Sequence, residues 1–274
     1  MIKCQPVTAL FDINREVIDG RTICEYKSWL QKTVKNFPNT IIFHDGVCDD
    51  LEYELRNLIR INPNELWIFN HKDTISKTID NCNPVSKNDI TYLNPLYSLV
   101  QFSKFEFLKI AKDTFSAKSY LWIDAGISRF LPLVNNENRI DFNSTEFLQN
   151  GTKFAFEIDL KNNLDPFSFK IKKSMPGTCK RVISGTSFWV EGNSVDQIWD
   201  LIRKGINDWL TSACWDNEQV MLRQILPSIP NVEYIIQWNS PTGSVAREML
   251  TKKIKTKKIT NQIIRSLMLR ADSA

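Results

Sequence analysis

A buried strand that ends in an aspartate constrains this chain more than any other feature. Residues 119–123 read SYLWI, and Asp124 follows at once, with two small residues, Ala125 and Gly126, behind it. Ligands of open α/β proteins bind at the carboxyl ends of the parallel strands. A carboxylate at such an end, with little steric cover, is suited to hold a nucleotide-bound metal ion or a ribose hydroxyl. We therefore expect this turn to lie in a ligand site.

Strand and helix signals alternate along the first half of the chain. VTALFDI (7–13) is a strand candidate that contains Asp12, and NTIIFHDG (39–46) is a second one that leads to Asp45. Apolar residues at helical spacing follow each of them. Such alternation predicts an α/β fold with a mostly parallel sheet and helices on both faces. In that fold Asp12, Asp45 and Asp124 share one rim of the sheet.

The segment between the second strand and SYLWI gives three further expectations. Leucines and isoleucine at helical spacing in 51–59 predict a helix, and ELWIFNH (65–71) predicts a third strand. Residues 72–92 are polar, which is typical of a surface loop over a site. Asn94 and Pro95 then predict the start of a long helix, because Asn caps free amides and Pro suits the first helical position.

The second half of the chain continues with strands and capped helices. Asp216 and Gln219 have the spacing of a capping box, which predicts a helix start. Three segments read as strands: KFAFEIDL (153–160), RVISGTSFWVE (181–191) and VEYIIQW (232–238).

Composition narrows the protein class. The chain has 274 residues and 42% hydrophobic residues, but its apolar runs fall far short of the roughly 20 residues that cross a bilayer. Its start has no secretory pattern, so we expect a cytoplasmic protein. The six cysteines occur singly, without metal-ligand spacing, and are expected to be reduced thiols.

The end of the chain is basic. Residues 252–258 read KKIKTKK, and the helix-like IIRSLMLR follows, so we expect a basic amphipathic tail over 251–274. A solvated terminal helix and peripheral attachment to an anionic membrane surface through Lys252–Lys258 both fit this pattern. Nucleic-acid binding is the weakest interpretation, and we expect no nucleic-acid partner.

The order of the elements resembles that of a GT-A glycosyltransferase. Beyond this, TALFDINR, the NPLYSLVQFSKFEFL helix, WIDAGISRF, GTSFWVEG and DNEQVML are together similar to the bacterial HtrL/YibB family, which is regarded as glycosyltransferase-like. The likeness covers nearly the whole chain. It implies one GT-A-like domain over 1–250, with a nucleotide-sugar half at 1–130 and an acceptor half at 131–250.

The resemblance implies an enzyme that moves a sugar from a nucleotide-sugar donor, with a UDP-sugar preferred, to a cell-surface glycan or lipid-linked acceptor. Each candidate residue also has a purely structural interpretation as a turn residue, surface charge, core side chain or helix cap. The nucleotide-binding candidates are Asp12, Asn14, Arg15, Asp45, Lys104, Asp124 and Gly126. The candidates for contact with the donor or acceptor sugar are Gly185, Thr186, Trp189 and Trp215, and the catalytic candidates are Asp216 and Glu218.

The metal requirement is left open by the sequence. Most GT-A enzymes hold Mn²⁺ or Mg²⁺ with an Asp-x-Asp turn, whereas this turn is Asp124-Ala125-Gly126 and lacks the second carboxylate. Asp124 is the metal-ligand candidate, with water and diphosphate oxygens completing the shell. A metal-free site would neutralise the diphosphate with basic side chains. The candidates for that role are Arg15, Arg21, Lys104 and Arg129.

Two other functions compete with glycosyl transfer. The incomplete turn is consistent with a non-catalytic protein that binds a nucleotide sugar or a glycan. A sugar-nucleotide pyrophosphorylase would use a similar architecture, but we expect it to carry a Gly-rich basic loop after the first strand. FDINREVIDGR contains one glycine, which makes this the weakest alternative.

Overall fold

The computed structural model describes residues 2–82, 88–130, 145–159, 183–237 and 257–259. The helices within these ranges are α1 (Arg15–Asp19), α2 (Ile23–Asn36), α3 (Lys72–Asn81), α4 (Ile90–Leu93), α5 (Pro95–Thr114), α6 (Thr145–Gln149), α7 (Val195–Thr211) and α8 (Glu218–Ile225). The strands are β1 (Gln5–Leu10), β2 (Ile41–His44), β3 (Leu58–Arg60), β4 (Ser119–Ile123), β5 (Phe154–Asp159), β6 (Ile183–Glu191), β7 (Val232–Gln237) and β8 (Lys257–Ile259).

These strands form one sheet in the order β3-β2-β1-β4-β6-β5-β7-β8. The first four strands of that order pair in parallel, as do β5 and β7, while β6 runs antiparallel to both β4 and β5. The pairing of β4 with β6 joins the two predicted halves of the chain. The predicted fold class, a mixed and mostly parallel α/β sheet flanked by helices, is confirmed.

Both faces of the sheet are covered because the central strands are apolar on both sides. Along β4, Tyr120 and Trp122 belong to the core on one face, and Leu121 and Ile123 belong to the core on the other, as the two-residue period of a strand requires. The first face packs against α3, α5, α7 and α8. The second packs against α2 and α6, with Leu30 of α2 fully buried.

The helix α5 runs behind the centre of the sheet and carries residues of the site described below. Its predicted start is confirmed: the side chain of Asn94 accepts a hydrogen bond from the backbone N–H of Leu96, and Pro95 is the first helical residue. The helix buries three phenylalanines, Phe102, Phe105 and Phe107, in the core. Phe105 stacks on Phe188 of β6 with ring centroids 5.2 Å apart, which fixes the helix against the sheet.

The segment between β2 and α5 differs from the prediction. Residues 65–71 are not a strand: they lie in short 3-10 turns, and the carboxylate of Glu106 accepts the backbone N–H of Trp67. A side chain thus satisfies a donor that a strand would pair with a neighbour. Leu58 and Ile59, predicted on a helix, form the edge strand β3. The predicted loop at 72–92 contains α3 and α4.

Two features of the second half also bear on the predictions. The cap of α8 is Asn217 rather than Asp216, since the Asn217 side chain accepts the N–H of Gln219. At the basic end, Lys257 and Lys258 lie in β8 and pair with β7, while 251–256 and 260–274 lie outside the described residues. Among the helices that the structure describes, none is long and apolar enough to span a bilayer.

Candidate active site

A cavity of ≈ 740 Å³ lies at the carboxyl ends of β1 and β4. Its lining comes from the turns that follow these two strands, from α1, from one face of α5, from β6 and from the start of α8. This is the position at which open parallel sheets bind their ligands, because the strand ends and the following turns leave a crevice there. The volume lies in the range of small-molecule and cofactor sites.

Lys104 of α5 forms the centre of the cavity floor. Its ammonium lies 3.1 Å from Oδ1 of Asp124, which follows β4, and 3.2 Å from Oε1 of Glu218, the first residue of α8. It also donates to the backbone carbonyl of Gly185 in β6, at 2.9 Å. The Trp122 ring lies 5.8 Å from the same nitrogen. One buried cation thus joins four elements of the fold, and we call Asp124, Lys104 and Glu218 the buried triad.

The two carboxylates of the triad stabilise the charge of Lys104. Burial by itself lowers the pKa of Lys104, but the charges of Asp124 and Glu218 outweigh it, so the pKa is raised above the usual lysine value. Lys104 therefore stays charged throughout the neutral range. Two carboxylates against one ammonium leave the floor of the cavity with a net negative charge.

Glu218 has a free acceptor at the cavity floor. Its side chain is only 1% exposed, and Oε1 is used by Lys104. The other oxygen, Oε2, is buried and has no hydrogen-bond partner among the described residues. A buried unpaired carboxylate oxygen is costly, which makes it a candidate to receive a hydroxyl from a ligand.

The space around Glu218 is made by a glycine. A Cβ atom built on Gly185 would lie 2.2 Å from Glu218 Oε1, so no other residue fits there without displacing the carboxylate. The neighbouring Thr186 lines the cavity, and its backbone carbonyl accepts the N–H of Asp124. The strand β6 thus holds both carboxylates of the triad in place.

Asp124 faces the cavity with part of its carboxylate. Its side chain is 31% exposed, and Oδ1 accepts both Lys104 and the indole N–H of Trp122, the latter at 2.9 Å. No donor in the described part of the chain contacts Oδ2. The turn that follows is tight, because the backbone N–H of Ile127 bonds back to the carbonyl of Asp124.

Three arginines line the mouth of the cavity. Arg15 of α1 pairs with Asp19, and Arg21, which follows α1, lies 3.7 Å from the same carboxylate. Arg129 comes from the turn after β4, donates from Nε to the carbonyl of Gly126 at 3.0 Å, and stacks over the Trp29 ring at 4.5 Å. The site therefore has an acidic floor, and we call the three arginines the basic wall; Asp12, Glu16 and Asp19 line the cavity beside them.

A protein-built metal centre does not fit these residues. In the described ranges, no group of three or more His, Cys, Asp or Glu side chains could hold a metal ion. Asp124 is the carboxylate of the predicted metal turn, and the ammonium of Lys104 already lies on its Oδ1. A divalent ion placed there would stand beside a fixed positive charge. We therefore derive no chemical step through Mn²⁺ or Mg²⁺.

The structure brings most of the predicted site residues to one cavity. Asp45 lies beside the site rather than in its lining, with Oδ2 3.3 Å from the backbone nitrogen of Asp12. Gly185 contributes its carbonyl to Lys104 from just behind the lining. The predicted residues that line the cavity are Asp12, Asn14, Arg15, Lys104, Asp124, Gly126, Thr186 and Glu218.

Three predicted site residues lie elsewhere. Trp189 and Trp215 are fully buried in hydrophobic cores, so neither ring is accessible to stack on a sugar, and that prediction is wrong. Asp216 is 3% exposed and is absent from the cavity lining, and its Oδ1 accepts the N–H of Asn217. Of the two predicted catalytic residues, Glu218 therefore lines the cavity and Asp216 does not.

Some lining residues escaped the sequence analysis. Tyr97 and Gln101 lie on the face of α5 that carries Lys104, because Gln101 follows Tyr97 by four residues and precedes Lys104 by three. The Tyr97 ring lies 5.2 Å from the Arg15 guanidinium. Helical spacing from Lys104 was the available signal. Gln219, next to Glu218, also lines the cavity.

Comparison with known proteins gives limited guidance. No family model matches the chain, and no curated protein matches it. Among solved structures, the chain is similar to a glycosyltransferase involved in the glycosylation of the major capsid of PBCV-1, with 10% sequence identity and a TM-score of 0.41 over 99% of this chain and 100% of that one.

Proposed function

We propose that this protein is a glycosyltransferase that moves a sugar from a nucleotide-sugar donor, with a UDP-sugar preferred, to a glycan or lipid-linked saccharide. The observation that carries the proposal is the buried triad at the floor of the cavity. It holds two carboxylates and a lysine with at most 31% side-chain exposure where the parallel strands end. A buried lysine whose pKa is shifted by carboxylates in a cleft is a usual mark of a functional site.

The chemistry divides between the floor and the wall of the cavity. In the reaction, an acceptor hydroxyl oxygen attacks the anomeric carbon, and the bond to the diphosphate oxygen breaks with its electron pair leaving on the diphosphate. The hydroxyl proton needs a base, and Glu218 lines the cavity with a carboxylate whose Oε2 has no hydrogen-bond partner among the described residues. The negative diphosphate needs fixed positive charge, which the arginines of the mouth supply.

Asp124 has a separate role in this proposal. Its position directly after β4, with part of the carboxylate exposed, suits a hydrogen bond to a ribose or sugar hydroxyl. Lys104 holds that carboxylate and Glu218 at a fixed separation. It is therefore a positioning residue.

Nucleotide-dependent stabilisation tests the proposal. A donor at 100 times its dissociation constant should stabilise the fold by about 2.7 kcal/mol, so thermal melts with UDP-, GDP-, CDP- and CMP-sugars should show one nucleotide class that raises the midpoint. That donor should then be hydrolysed slowly without acceptor. Asp124→Asn should lose hydrolysis, whereas Asp113→Asn, an exposed carboxylate on α5 that pairs with Lys109, should retain it. Absence of any nucleotide-dependent shift would overturn the proposal.

A non-catalytic nucleotide-sugar binding protein is the second candidate. The observation that favours it is the triad itself, because Lys104 engages both carboxylates and a purely structural ion cluster would look the same. Donor hydrolysis separates the two candidates. If the chain binds a nucleotide sugar and leaves it intact, and the Asp124→Asn variant does the same, the protein is a binding protein.

A further inference from the structure

The basic wall of the cavity has features that the floor does not explain. Arg129 forms no ion pair with any carboxylate in the described ranges, although it is partly buried. Its guanidinium is held by Trp29 on one side and by Phe130, whose ring centroid is 5.0 Å away. Its Nε is engaged by the carbonyl of Gly126, which leaves the terminal nitrogens as donors. An arginine held in this way is organised to meet an anion.

Arg15 and Arg21 extend this wall. Both approach a single carboxylate, that of Asp19, so these two guanidinium groups share one acidic partner. Arg15 is further held against the Tyr97 ring. The pKa of Arg129 is lowered, by burial first and also by the positive charges of Arg21 and Arg15. The positive charges of Arg21 and Arg15 thus act on Arg129 at the cavity mouth.

We propose that Arg15, Arg21 and Arg129 form a diphosphate-binding wall that neutralises the ligand without a divalent metal ion. This proposal rests on the function proposed above and names how its donor is held. Guanidinium groups bind phosphate oxygens through paired N–H donors, and three of them match the two phosphoryl groups of a nucleoside diphosphate. The Asp124 turn, whose carboxylate is engaged by Lys104, then has no need of a bridging ion.

The geometry also orients the ligand. Arg15 and Arg21 belong to α1 and the residues after it, and Arg129 belongs to the turn after β4. A diphosphate between them lies across the ends of two adjacent parallel strands. The sugar attached to it is then directed toward the floor, where Glu218 presents its unpartnered oxygen.

Calorimetry with inorganic pyrophosphate and with UDP tests the wall. Each ligand is titrated in EDTA and again in Mn²⁺, using the full chain and the variant Arg129→Gln. The control is Arg203→Gln, because Arg203 also stacks on a tryptophan, Trp199, at 5.5 Å, but lies on α7 outside the cavity. We expect binding in EDTA, a loss of about ten-fold or more in affinity for Arg129→Gln, equivalent to about 1.4 kcal/mol, and no change for Arg203→Gln.

The outcomes separate the wall from the function. UDP binding that requires Mn²⁺ and is unaffected by Arg129→Gln overturns the arginine wall and leaves a nucleotide site. Arginine-dependent pyrophosphate binding without affinity for any nucleoside diphosphate supports the wall and overturns the glycosyltransferase. A lack of binding by both pyrophosphate and UDP overturns the wall. Circular dichroism confirms that each variant is folded, and Arg129→Lys, which keeps the charge but not the paired donors, should bind with intermediate affinity.

Discussion

The ammonium of Lys104 and the carboxylate of Glu218 lie 3.2 Å apart with side chains 2% and 1% exposed, although 114 positions separate them in the chain. This contact ties the middle of α5 to the first residue of α8. Both residues reach the cavity floor from helices that pack on the same face of the sheet, and Gly185 of β6 leaves room for their contact. The site is thus assembled by the packing of the fold and not by any single motif.

Removal of the buried cation should destabilise the protein strongly. Lys104→Met keeps the length of the side chain but leaves Asp124 and Glu218 without their partner, and breaking a buried ion pair in this way costs about 3 to 5 kcal/mol. Urea unfolding measures the loss. Lys109→Met, on the exposed face of the same helix, should cost less than about 1 kcal/mol. Adding Glu218→Gln to Lys104→Met should recover part of the stability. Similar losses for the two lysine variants would contradict a stabilising role of Lys104 between the two carboxylates.

Glu218 and Asp216 should behave differently in catalysis. Glu218→Gln removes the base at the cavity floor, so turnover should fall by roughly 100-fold or more while donor binding changes little. Asp216→Asn alters a carboxylate outside the lining and should leave turnover near normal. Steady-state kinetics with the donor found in the binding screen measures both. A large loss in Asp216→Asn alone would reverse the assignment.

The parts of the fold that sequence predicts are those governed by local signals. SYLWI has four large hydrophobic residues in a row after Ser119 and becomes β4, and Asn94-Pro95 starts α5 as its cap chemistry requires. Residues 65–71 contain a hydrophobic run like that of a strand but lie in 3-10 turns. The carboxylate of Glu106, distant in sequence, takes the N–H of Trp67, and no local pattern contains that information.

The site shows the same division. Asp124 is recognisable because it follows a buried strand, and its place at the cavity is a consequence of the parallel sheet. Trp189 and Trp215 were predicted to contact sugar from their neighbourhood in sequence, but strand alternation and helix packing bury both. The role of Lys104 depends on two partners brought in by tertiary packing, so its sequence context carried no sign of a buried ion cluster.

The cap of α8 offers a local test of how its first residue is positioned. The side chain of Asn217 accepts the N–H of Gln219 at 2.8 Å, and Glu218 lies between them. Asn217→Ala should cost about 1 kcal/mol of stability through loss of the cap. Turnover should also fall, because the residue that carries the base begins this helix, while Asn217→Ser should restore both. Differential scanning calorimetry and kinetics measure the two effects, and a stability loss without any kinetic change would show that Glu218 is held by Lys104 alone.

His44 at the end of β2 should make the fold sensitive to mild acid. Its side chain is 2% exposed, and Nδ1 accepts the backbone N–H of Gly46, which requires the unprotonated nitrogen. Burial lowers its pKa below the usual 6.5, and Arg60 lowers it further, against the opposing effect of Asp49, Asp45 and Glu52. The unfolded chain therefore takes up a proton at a higher pH than the folded one.

Because of that difference, unfolding of the chain binds protons below about pH 6.5. The stability contributed by neutral His44 is therefore full above this pH, and it falls as the pH decreases toward the pKa of His44 in the folded protein. Urea unfolding at intervals from pH 7.5 to 5 should show a decline in the free energy of unfolding. His44→Asn keeps an acceptor for Gly46 but does not titrate, so its curve should be flatter over this window. The other histidine, His71, serves as the control: His71→Asn should retain the decline, and a curve for His44→Asn as steep as that of the unaltered chain would assign the acid sensitivity to other groups.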